Sequence, residues 1–320
     1  YGREMKDHNW RRGGYGMLTL PQTLMVSSNI GVSRIIDDHY HNTPEKFVQG
    51  IYRLGLADDL HIPLQGASSA RIRMPKKDSR GKQYVNWSKT TLPWMSIGYE
   101  TQVPPISTLT FYNAIANGGK MVAPRFVKAV MKDGVVIKEF DPVVLREQIA
   151  KESTIKKITT ILEHVVSQGL GKKAGSPSFL VAGKTGTAQI SKGAAGYKSG
   201  QMNYLLSFAG FFPAYEPRYS CIVCIQKSGL PASGGGMSGV VFHDIAEGIM
   251  AQSLKLEAID ARDSLSILIP QVKNGNILAA DYVLTHLGFE PRADWTGSYA
   301  NGNPICCLLY TSPSPRDKRQ

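Results

Sequence analysis

Residues 184–187 read Lys-Thr-Gly-Thr and bring a cation, two hydroxyls and a residue without a side chain into one short run. The run follows four apolar residues at 179–182, as expected where a buried strand reaches an open edge. Gly186 allows another backbone to approach closely, while Lys184 and the hydroxyls of Thr185 and Thr187 can bind a carboxylate. The run therefore predicts a strand edge that receives a substrate backbone and its carboxylate.

A second polar pair, Ser27 and Asn29, lies far upstream within a helix predicted over residues 21–40. Ser27, Ser28 and Gly31 are poor helix formers, and a functional site is one explanation for such a break. Taken alone, Ser27 and Asn29 are more typical of helix or cap residues. With the downstream Lys-Thr-Gly-Thr run, they favour a cleft where a helical subdomain meets a sheet.

Composition and cysteine spacing argue against a metal site and a nucleic-acid partner, and we expect no cofactor. The net charge is +12, but no arginine-rich helix or aromatic-basic platform accompanies it, which favours a solvated basic surface. Cys221 and Cys224 form C-x-x-C within an apolar strand-like run. Side chains at i and i+3 of a strand diverge, so we expect two buried small side chains and no metal or redox site.

Apolar spacing and cap residues predict an α+β fold in which helices pack on an antiparallel sheet beside a helical subdomain. The predicted helices are 21–40, 43–55, 108–116, 153–168 and 240–256, and the predicted neighbouring strands are 180–189, 204–212 and 219–226. Residues 127–140 predict a hairpin that turns at 132–134, whereas residues 60–95 predict a long irregular loop.

Four segments make up the predicted domain organisation. A large domain covers 1–256, a linker covers 257–265, a small α/β module covers 266–303 and a tail covers 304–320. Residues 266–289 have the order strand, turn, helix, glycine stop. The tail is similar to a translated sequencing-library adapter, so we expect it to be non-native.

Several strings occur in a recognisable order: L-T-L at 18–20, S-S-N-I-G-V-S at 27–33, S-I-G-Y-E at 96–100, N-A-I-A-N-G-G at 113–119, A-G-K-T-G-T-A-Q at 182–189 and F-A-G-F-F-P at 208–213. S-x-N before K-T-G is the order found in serine enzymes that bind penicillin. Over residues 5–256 the chain resembles the transpeptidase domain of class B penicillin-binding proteins, especially the division-type peptidoglycan D,D-transpeptidases. Residues 266–295 resemble a PASTA module.

That resemblance implies a penicillin-binding/β-lactamase-like transpeptidase fold and a serine acyl-enzyme. In the family, a serine from an S-x-x-K motif attacks the D-Ala-D-Ala peptide bond, and the acyl group passes to an amine of a neighbouring stem peptide. The resemblance implies that Ser27 relays a proton, that Asn29 orients the acyl amide and the general-base lysine, and that Lys184 holds positive charge near Ser27.

The same resemblance assigns substrate contacts to the rest of the run. It implies that the hydroxyls of Thr185 and Thr187 bind the terminal carboxylate and that Gly186 leaves room for it. The backbone N–H of Thr187 would form half of the oxyanion hole.

One part of the family pattern is missing. No S-x-x-K stands in residues 1–26, where the resemblance would place it, so we expect the nucleophilic serine and base lysine to be missing from this chain. The chain would then be an N-terminally truncated domain, inactive alone. Two alternatives stay open: a non-catalytic sensor or scaffold that binds β-lactam or muropeptide, and a serine β-lactamase. The β-lactamase is the weaker because no S-D-N is visible.

The resemblance also implies partners and a location. The partners are peptidoglycan stem peptides (a D-Ala-D-Ala donor and an amine acceptor), β-lactams, and membrane proteins of the divisome or elongation complex. No run of about 20 apolar residues occurs in the chain. The resemblance implies a parent protein anchored in the cell membrane by a segment absent here, with its catalytic domain periplasmic or extracellular.

Overall fold

The computed structural model describes residues 4–190 and 201–260, together with residue 286. The chain divides into two compact units, Tyr1–Ala251 and Gln252–Gln320. The predicted tail at 304–320 lies outside the described residues, as does the predicted PASTA-like module at 266–303 apart from residue 286. The four-segment organisation therefore stays a prediction.

Most of the predicted helices are confirmed within the described ranges. The α-helices there are α1 (Leu20–Met25), α2 (Asn29–Tyr40), α3 (Pro44–Arg53), α4 (Thr91–Met95), α5 (Pro105–Ala116), α6 (Glu152–Ser167) and α7 (Gly239–Asp260). Proline stands in the first turn of α1, α3 and α5, where its missing N–H and preset φ cost nothing. Helices α3, α5, α6 and α7 correspond to the predicted helices, with ends moved by a few residues.

The prediction of one continuous helix over 21–40 is wrong. Helix α1 ends at Met25 and α2 begins at Asn29, and Ser27 between them has a φ of 52°. A left-handed residue cannot continue a right-handed helix. The run of poor helix formers therefore marks a true break, and it places Ser27 in the corner between two short helices.

Three small strand pairs flank the helices. Strands β1 (Arg71–Ile72) and β2 (Thr101–Gln102) pair, as do β3 (Met121–Val122) with β6 (Val144–Arg146), and β4 (Ala129–Lys132) with β5 (Val135–Glu139). The β4–β5 pair confirms the predicted hairpin, since Asp133 and Gly134 both take positive φ at its turn. Residues 60–95 are less irregular than predicted because they contain β1 and α4.

The main sheet has three antiparallel strands in the order β7 (Ala182–Ile190), β8 (Asn203–Phe212) and β9 (Tyr219–Ser228). These confirm the three predicted strands. Strand β7 is an edge of this sheet, so the Lys-Thr-Gly-Thr run lies along an edge strand. Lys184 faces Ala209 across the ladder, and Gly186 faces Ser207.

Apolar side chains cover both faces of the central strand β8. Phe211 belongs to a cluster with Ala114 of α5 and Leu162 of α6. Phe208 belongs to a second cluster with Phe242 of α7, and the two ring centroids lie 4.6 Å apart. Phe208, Phe211 and Phe212 are fully buried. The sheet therefore lies between helices and forms a rigid base for its edge strand.

The two cysteines of β9 diverge, but they are less buried than predicted. Cys221 is half-buried and Cys224 is exposed, and both are free thiols. Strand β9 is the other edge of the sheet and its faces alternate, so one thiol points to the core and the other to solvent. Within the described ranges, no group of three or more His, Cys, Asp or Glu side chains could hold a metal ion.

Candidate active site

Ser27 lies in a tight corner, residues 26–30, where α1 ends and α2 begins. Its neighbour Ser28 caps α2, because the Ser28 hydroxyl accepts a hydrogen bond from the Gly31 N–H at 2.9 Å. A Cβ on Gly31 would lie 2.6 Å from Thr23 Cγ2, so only glycine allows α1 and α2 to approach this closely. The corner therefore has a defined geometry, and Ser27 takes its left-handed conformation inside it.

The corner and the edge strand meet through one hydrogen bond. Lys184 Nζ donates to Ser27 Oγ at 2.7 Å, and it also lies 3.2 Å from the Thr185 carbonyl oxygen. The two residues are 157 positions apart in the chain. The structure thus brings together the cation of one predicted motif and the hydroxyl of the other. An ammonium beside a hydroxyl is an arrangement that can move a proton.

Burial changes the protonation of this lysine. Removal of water from the ammonium lowers the pKa of Lys184 from 10.5 to about 8. Among the ion pairs of the described residues none includes Lys184, so no carboxylate offsets that desolvation. A lysine with this pKa holds a proton at neutral pH but releases it easily, which suits both anion binding and proton transfer.

The two threonines have different surroundings. The Thr187 hydroxyl is exposed and accepts a hydrogen bond from the Gly234 N–H at 3.0 Å, so its own proton stays available to an acceptor. Thr185 is half-buried, and its hydroxyl lies 3.5 Å from Lys184 Nζ. Both hydroxyls therefore lie along β7 with room to donate, as a carboxylate would require.

Gly186 has a packing role that the sequence did not indicate. A Cβ at Gly186 would overlap the Ser207 hydroxyl on the neighbouring strand. A Cβ at Gly234 would overlap the Gly186 carbonyl oxygen. Room for a substrate is the predicted reason for glycine at 186. The structure adds that β7 is packed tightly against β8 and that Gly234 lies against backbone oxygens of both strands.

Asn29 makes a contact that differs from its predicted role. Its side-chain NH₂ donates to the Lys6 carbonyl oxygen at 3.2 Å. It is half-buried at the start of α2. In the described residues the Asn29 amide is therefore engaged with the N-terminal segment, whereas the predicted role places it against an acyl amide and a lysine.

Asp7 is a polar residue of the site that sequence reasoning missed. Its side chain is only 5% exposed, and both carboxylate oxygens accept hydrogen bonds from the corner that carries Ser27. No sequence signal marks it, because it is a single aspartate in a segment without periodicity. The three consecutive glycines at 234–236, by contrast, are a visible signal of close backbone approach.

The letters S-x-x-K occur at 79–82 and at 153–156, downstream of Ser27. Ser79, Lys82, Ser153 and Lys156 are all exposed. Lys156 also forms an ion pair with Glu152 at 2.6 Å. An exposed serine beside a solvated lysine lacks the environment that activates a nucleophile, so neither run replaces the motif missing from residues 1–26.

No helix in the described part of the chain is both long enough and apolar enough to cross a bilayer.

Comparisons with known proteins identify the family of this chain. The model of the penicillin binding protein transpeptidase domain matches residues 1–247. Stage V sporulation protein D of Bacillus subtilis is 27% identical over 295 residues, which covers 88% of this chain and 43% of that protein. The peptidoglycan D,D-transpeptidase FtsI of Escherichia coli K12 is 28% identical over 277 residues, or 84% of this chain and 41% of that protein.

A solved structure extends the comparison to three dimensions. Penicillin binding protein 3 of Mycobacterium tuberculosis, crystallised with aztreonam, superposes with a TM-score of 0.59 at 29% identity, over 73% of this chain and 51% of that one. The chain spans less than half the length of the two curated relatives above. The family match covers most of the chain, including the corner and the edge strand, so the chain belongs to the penicillin-binding protein transpeptidase domain family.

Proposed function

We propose that the protein is a peptidoglycan D,D-transpeptidase of cell-wall synthesis that works through a serine acyl-enzyme. The observation that carries this proposal is the 2.7 Å hydrogen bond from Lys184 Nζ to Ser27 Oγ, which joins the two motifs at the edge of a buried sheet. The relative named a D,D-transpeptidase and the relative crystallised with a β-lactam support it.

In this proposal the Ser27 hydroxyl relays a proton to the leaving group. A nucleophilic serine attacks the carbonyl carbon of the D-Ala-D-Ala peptide bond, and its proton passes to a neighbouring lysine. The C–N bond then breaks, and the proton reaches the leaving nitrogen through the Ser27 hydroxyl. Ser27 Oγ accepts a hydrogen bond from Lys184, so its own proton is free to be donated. An amine of a second stem peptide takes the acyl group from the serine.

The edge strand binds the donor peptide in this proposal. The ammonium of Lys184 and the hydroxyls of Thr185 and Thr187 hold the terminal carboxylate. Gly186 leaves room for it, and the Thr187 N–H stabilises the oxyanion. One such donor is typically worth about 10²–10³ in rate. To orient the acyl amide, the Asn29 side chain would have to break its hydrogen bond to the Lys6 carbonyl oxygen, or keep that bond while it makes a second one.

The nucleophile and its base come from sequence upstream of Ser27 in this proposal. Because the printed residues 1–26 contain no S-x-x-K, the 320-residue chain alone does not acylate. The parent protein is membrane-anchored with this domain on the outer side of the membrane, where stem peptides, β-lactams and divisome or elongation proteins meet it. A PASTA-like module at 266–303 follows the domain.

Labelling with fluorescent penicillin tests the proposal. The 320-residue chain should remain unlabelled, and the same chain extended by the genomic sequence that precedes Tyr1 should be labelled covalently. In the extended chain, Lys184→Met should slow labelling by roughly 10²-fold or more, because it removes a proton-relay partner and a carboxylate contact. Lys157→Met, on the exposed face of α6, is the matched control and should leave the rate unchanged.

Three outcomes would overturn the proposal in different ways. Covalent labelling of the 320-residue chain would contradict the missing nucleophile. Rapid nitrocefin turnover by the extended chain would favour a serine β-lactamase, because a transpeptidase holds its acyl-enzyme. Reversible binding without labelling in the extended chain would favour a non-catalytic sensor or scaffold.

A further inference from the structure

The Asp7 carboxylate is buried beside the corner, and the proposed reaction does not use it. Asp7 Oδ2 accepts a hydrogen bond from the Ser28 hydroxyl at 2.7 Å, and Asp7 Oδ1 accepts one from the Ile30 N–H at 3.1 Å. Both of its oxygens are therefore engaged by residues of the corner. An isolated buried carboxylate is costly, so this satisfaction by specific donors indicates a defined structural task.

These bonds control the conformation of the helix cap. The Ser28 hydroxyl donates to Asp7 while it accepts from the Gly31 N–H, so Asp7 sets the direction of the capping hydroxyl. The Ile30 N–H is one of the unpaired donors in the first turn of α2. A negative charge at this end of a helix is also favoured by the helix dipole.

The residue before Asp7 adds a third contact to the same corner. The Lys6 carbonyl oxygen accepts a hydrogen bond from the Asn29 side chain at 3.2 Å. Two consecutive residues thus hold Ser28, Asn29 and Ile30, which directly follow Ser27. Ser27 itself is in the left-handed region, where a serine stays only if its surroundings hold it.

We infer that Asp7 is a positioning residue that holds the Ser27 corner so that the Ser27 hydroxyl stays against Lys184 Nζ. Its role is to orient a residue of the site, and it does not touch the substrate. The inference rests on the proposed function for its meaning in catalysis. Its structural content, the link from Asp7 through the corner to Lys184, can be measured without any activity.

The test follows the titration of Lys184 in the 320-residue chain. Lysine ε-¹³C labelling gives a signal for each lysine, and a Lys184→Arg spectrum identifies the one in question. In Asp7→Ala the corner should relax and the ammonium should lose its Ser27 acceptor. The pKa of Lys184 should then fall further, by about half a unit to one unit. Asp7→Asn keeps an acceptor oxygen and should restore part of the shift.

If Asp7 only stabilises the fold, Asp7→Ala should lower the thermal midpoint without changing the Lys184 titration. Val48→Ala is the control, because Val48 is fully buried in α3 and belongs to a separate apolar cluster. It should lower the thermal midpoint and leave the Lys184 titration unchanged. If Asp7→Ala behaves like Val48→Ala, the inference is wrong.

A further variant keeps the test decisive if Asp7→Ala does not fold. Ser28→Ala removes one of the two bonds to Asp7 and leaves the Ile30 bond in place, so it should shift the Lys184 titration in the same direction by a smaller amount. An unchanged titration in both Ser28→Ala and Asp7→Asn would overturn the inference. A shifted titration in a protein whose extended form takes no penicillin would contradict the proposed function and leave the positioning role standing.

Discussion

Lys184 is a half-buried cation without a carboxylate partner in the described part of the chain. Its hydrogen bonds go to the Ser27 hydroxyl and, more weakly, to acceptors of Thr185. Neutral acceptors compensate only part of the water that the ammonium loses, so the pKa falls. An anion that enters the site would supply the missing counter-charge. A binding site for a carboxylate is expected to have this electrostatic character.

The lowered pKa of Lys184 predicts a pH-dependent stability. Below pH 8 the lysine is protonated in both the folded and unfolded states, and the full desolvation penalty applies. Between about 8 and 10.5 the folded state loses the proton that the unfolded state still holds. The free energy of unfolding should therefore rise with pH across this window, by on the order of 3 kcal/mol in total. Urea denaturation at pH 7, 8, 9 and 10 measures it.

Lys184→Met isolates this contribution from other titrating groups. Tyr84 and Tyr112 have raised pKa values, Tyr84 mainly through desolvation and then its bond to Glu45, and Tyr112 through burial. Raised pKa values of such acids make the free energy of unfolding fall as the pH rises, above about pH 10 for the tyrosines and above about pH 9 for the thiols of Cys221 and Cys224, whose pKa values burial also raises. This opposite change is common to both proteins. The free energy of unfolding of the wild type minus that of Lys184→Met should therefore increase up to pH 10. Parallel pH profiles for the two proteins would contradict the assignment.

At the scale of elements, the edge strand β7 is supported by a turn of π-helix at Gly234–Ser238 that precedes α7. The Gly234 N–H donates to the Thr187 hydroxyl, and Gly234 also packs against the Gly186 carbonyl oxygen. A Cβ at Gly235 would overlap the Leu170 carbonyl oxygen. Backbone approaches this close leave no space for side chains, so the glycine run determines how α7 meets the strand.

Gly234→Ala should weaken this junction, because its new methyl group would meet backbone atoms that cannot move aside. The expected loss of unfolding free energy is about 1–3 kcal/mol, measured by urea denaturation. Gly248→Ala is the matched control: Gly248 lies within α7, which follows that turn, and no atom lies within 4 Å of its Cβ position. That change should stabilise the protein by up to about 1 kcal/mol, since alanine favours the helix. Equal effects at the two positions would contradict the packing argument.

At the scale of the molecule, strand β8 connects two apolar clusters that lie on opposite faces of the sheet. Phe211 contributes to the cluster with α5 and α6, and Phe208 to the cluster with α7. The site lies on the strand next to β8. Loss of packing on either face should therefore be transmitted to the edge strand through the shared ladder.

Phe208→Ala and Phe211→Ala should each lower the free energy of unfolding by about 3–5 kcal/mol, because each leaves a cavity in a fully buried cluster. Phe126→Ala provides the comparison, since Phe126 is 50% exposed and its loss should cost much less. Denaturation followed by far-UV circular dichroism checks both. A large effect on one face only would mean that the sheet is not buried on both sides.

Local patterns were sufficient for much of the fold. Helix α6 and strands β8 and β9 were predicted within two residues of their ends, because their apolar periodicity is long and their ends carry clear signals. The hairpin at 127–140 was equally readable from its turn. The two-residue strands β1 and β2 were missed, since a pair so short has no period and depends on a partner distant in the chain.

The sequence by itself was enough to predict the candidate site residues and the broad fold. Lys184, Thr185, Gly186 and Thr187 fell on an edge strand as predicted, and Ser27 fell at a break in helical propensity. Only the tertiary structure decided that Ser27 is left-handed, that its hydroxyl accepts a hydrogen bond from Lys184, and that Asp7 contacts the same corner. These features depend on burial and on contacts between distant segments, whose energies no local pattern contains.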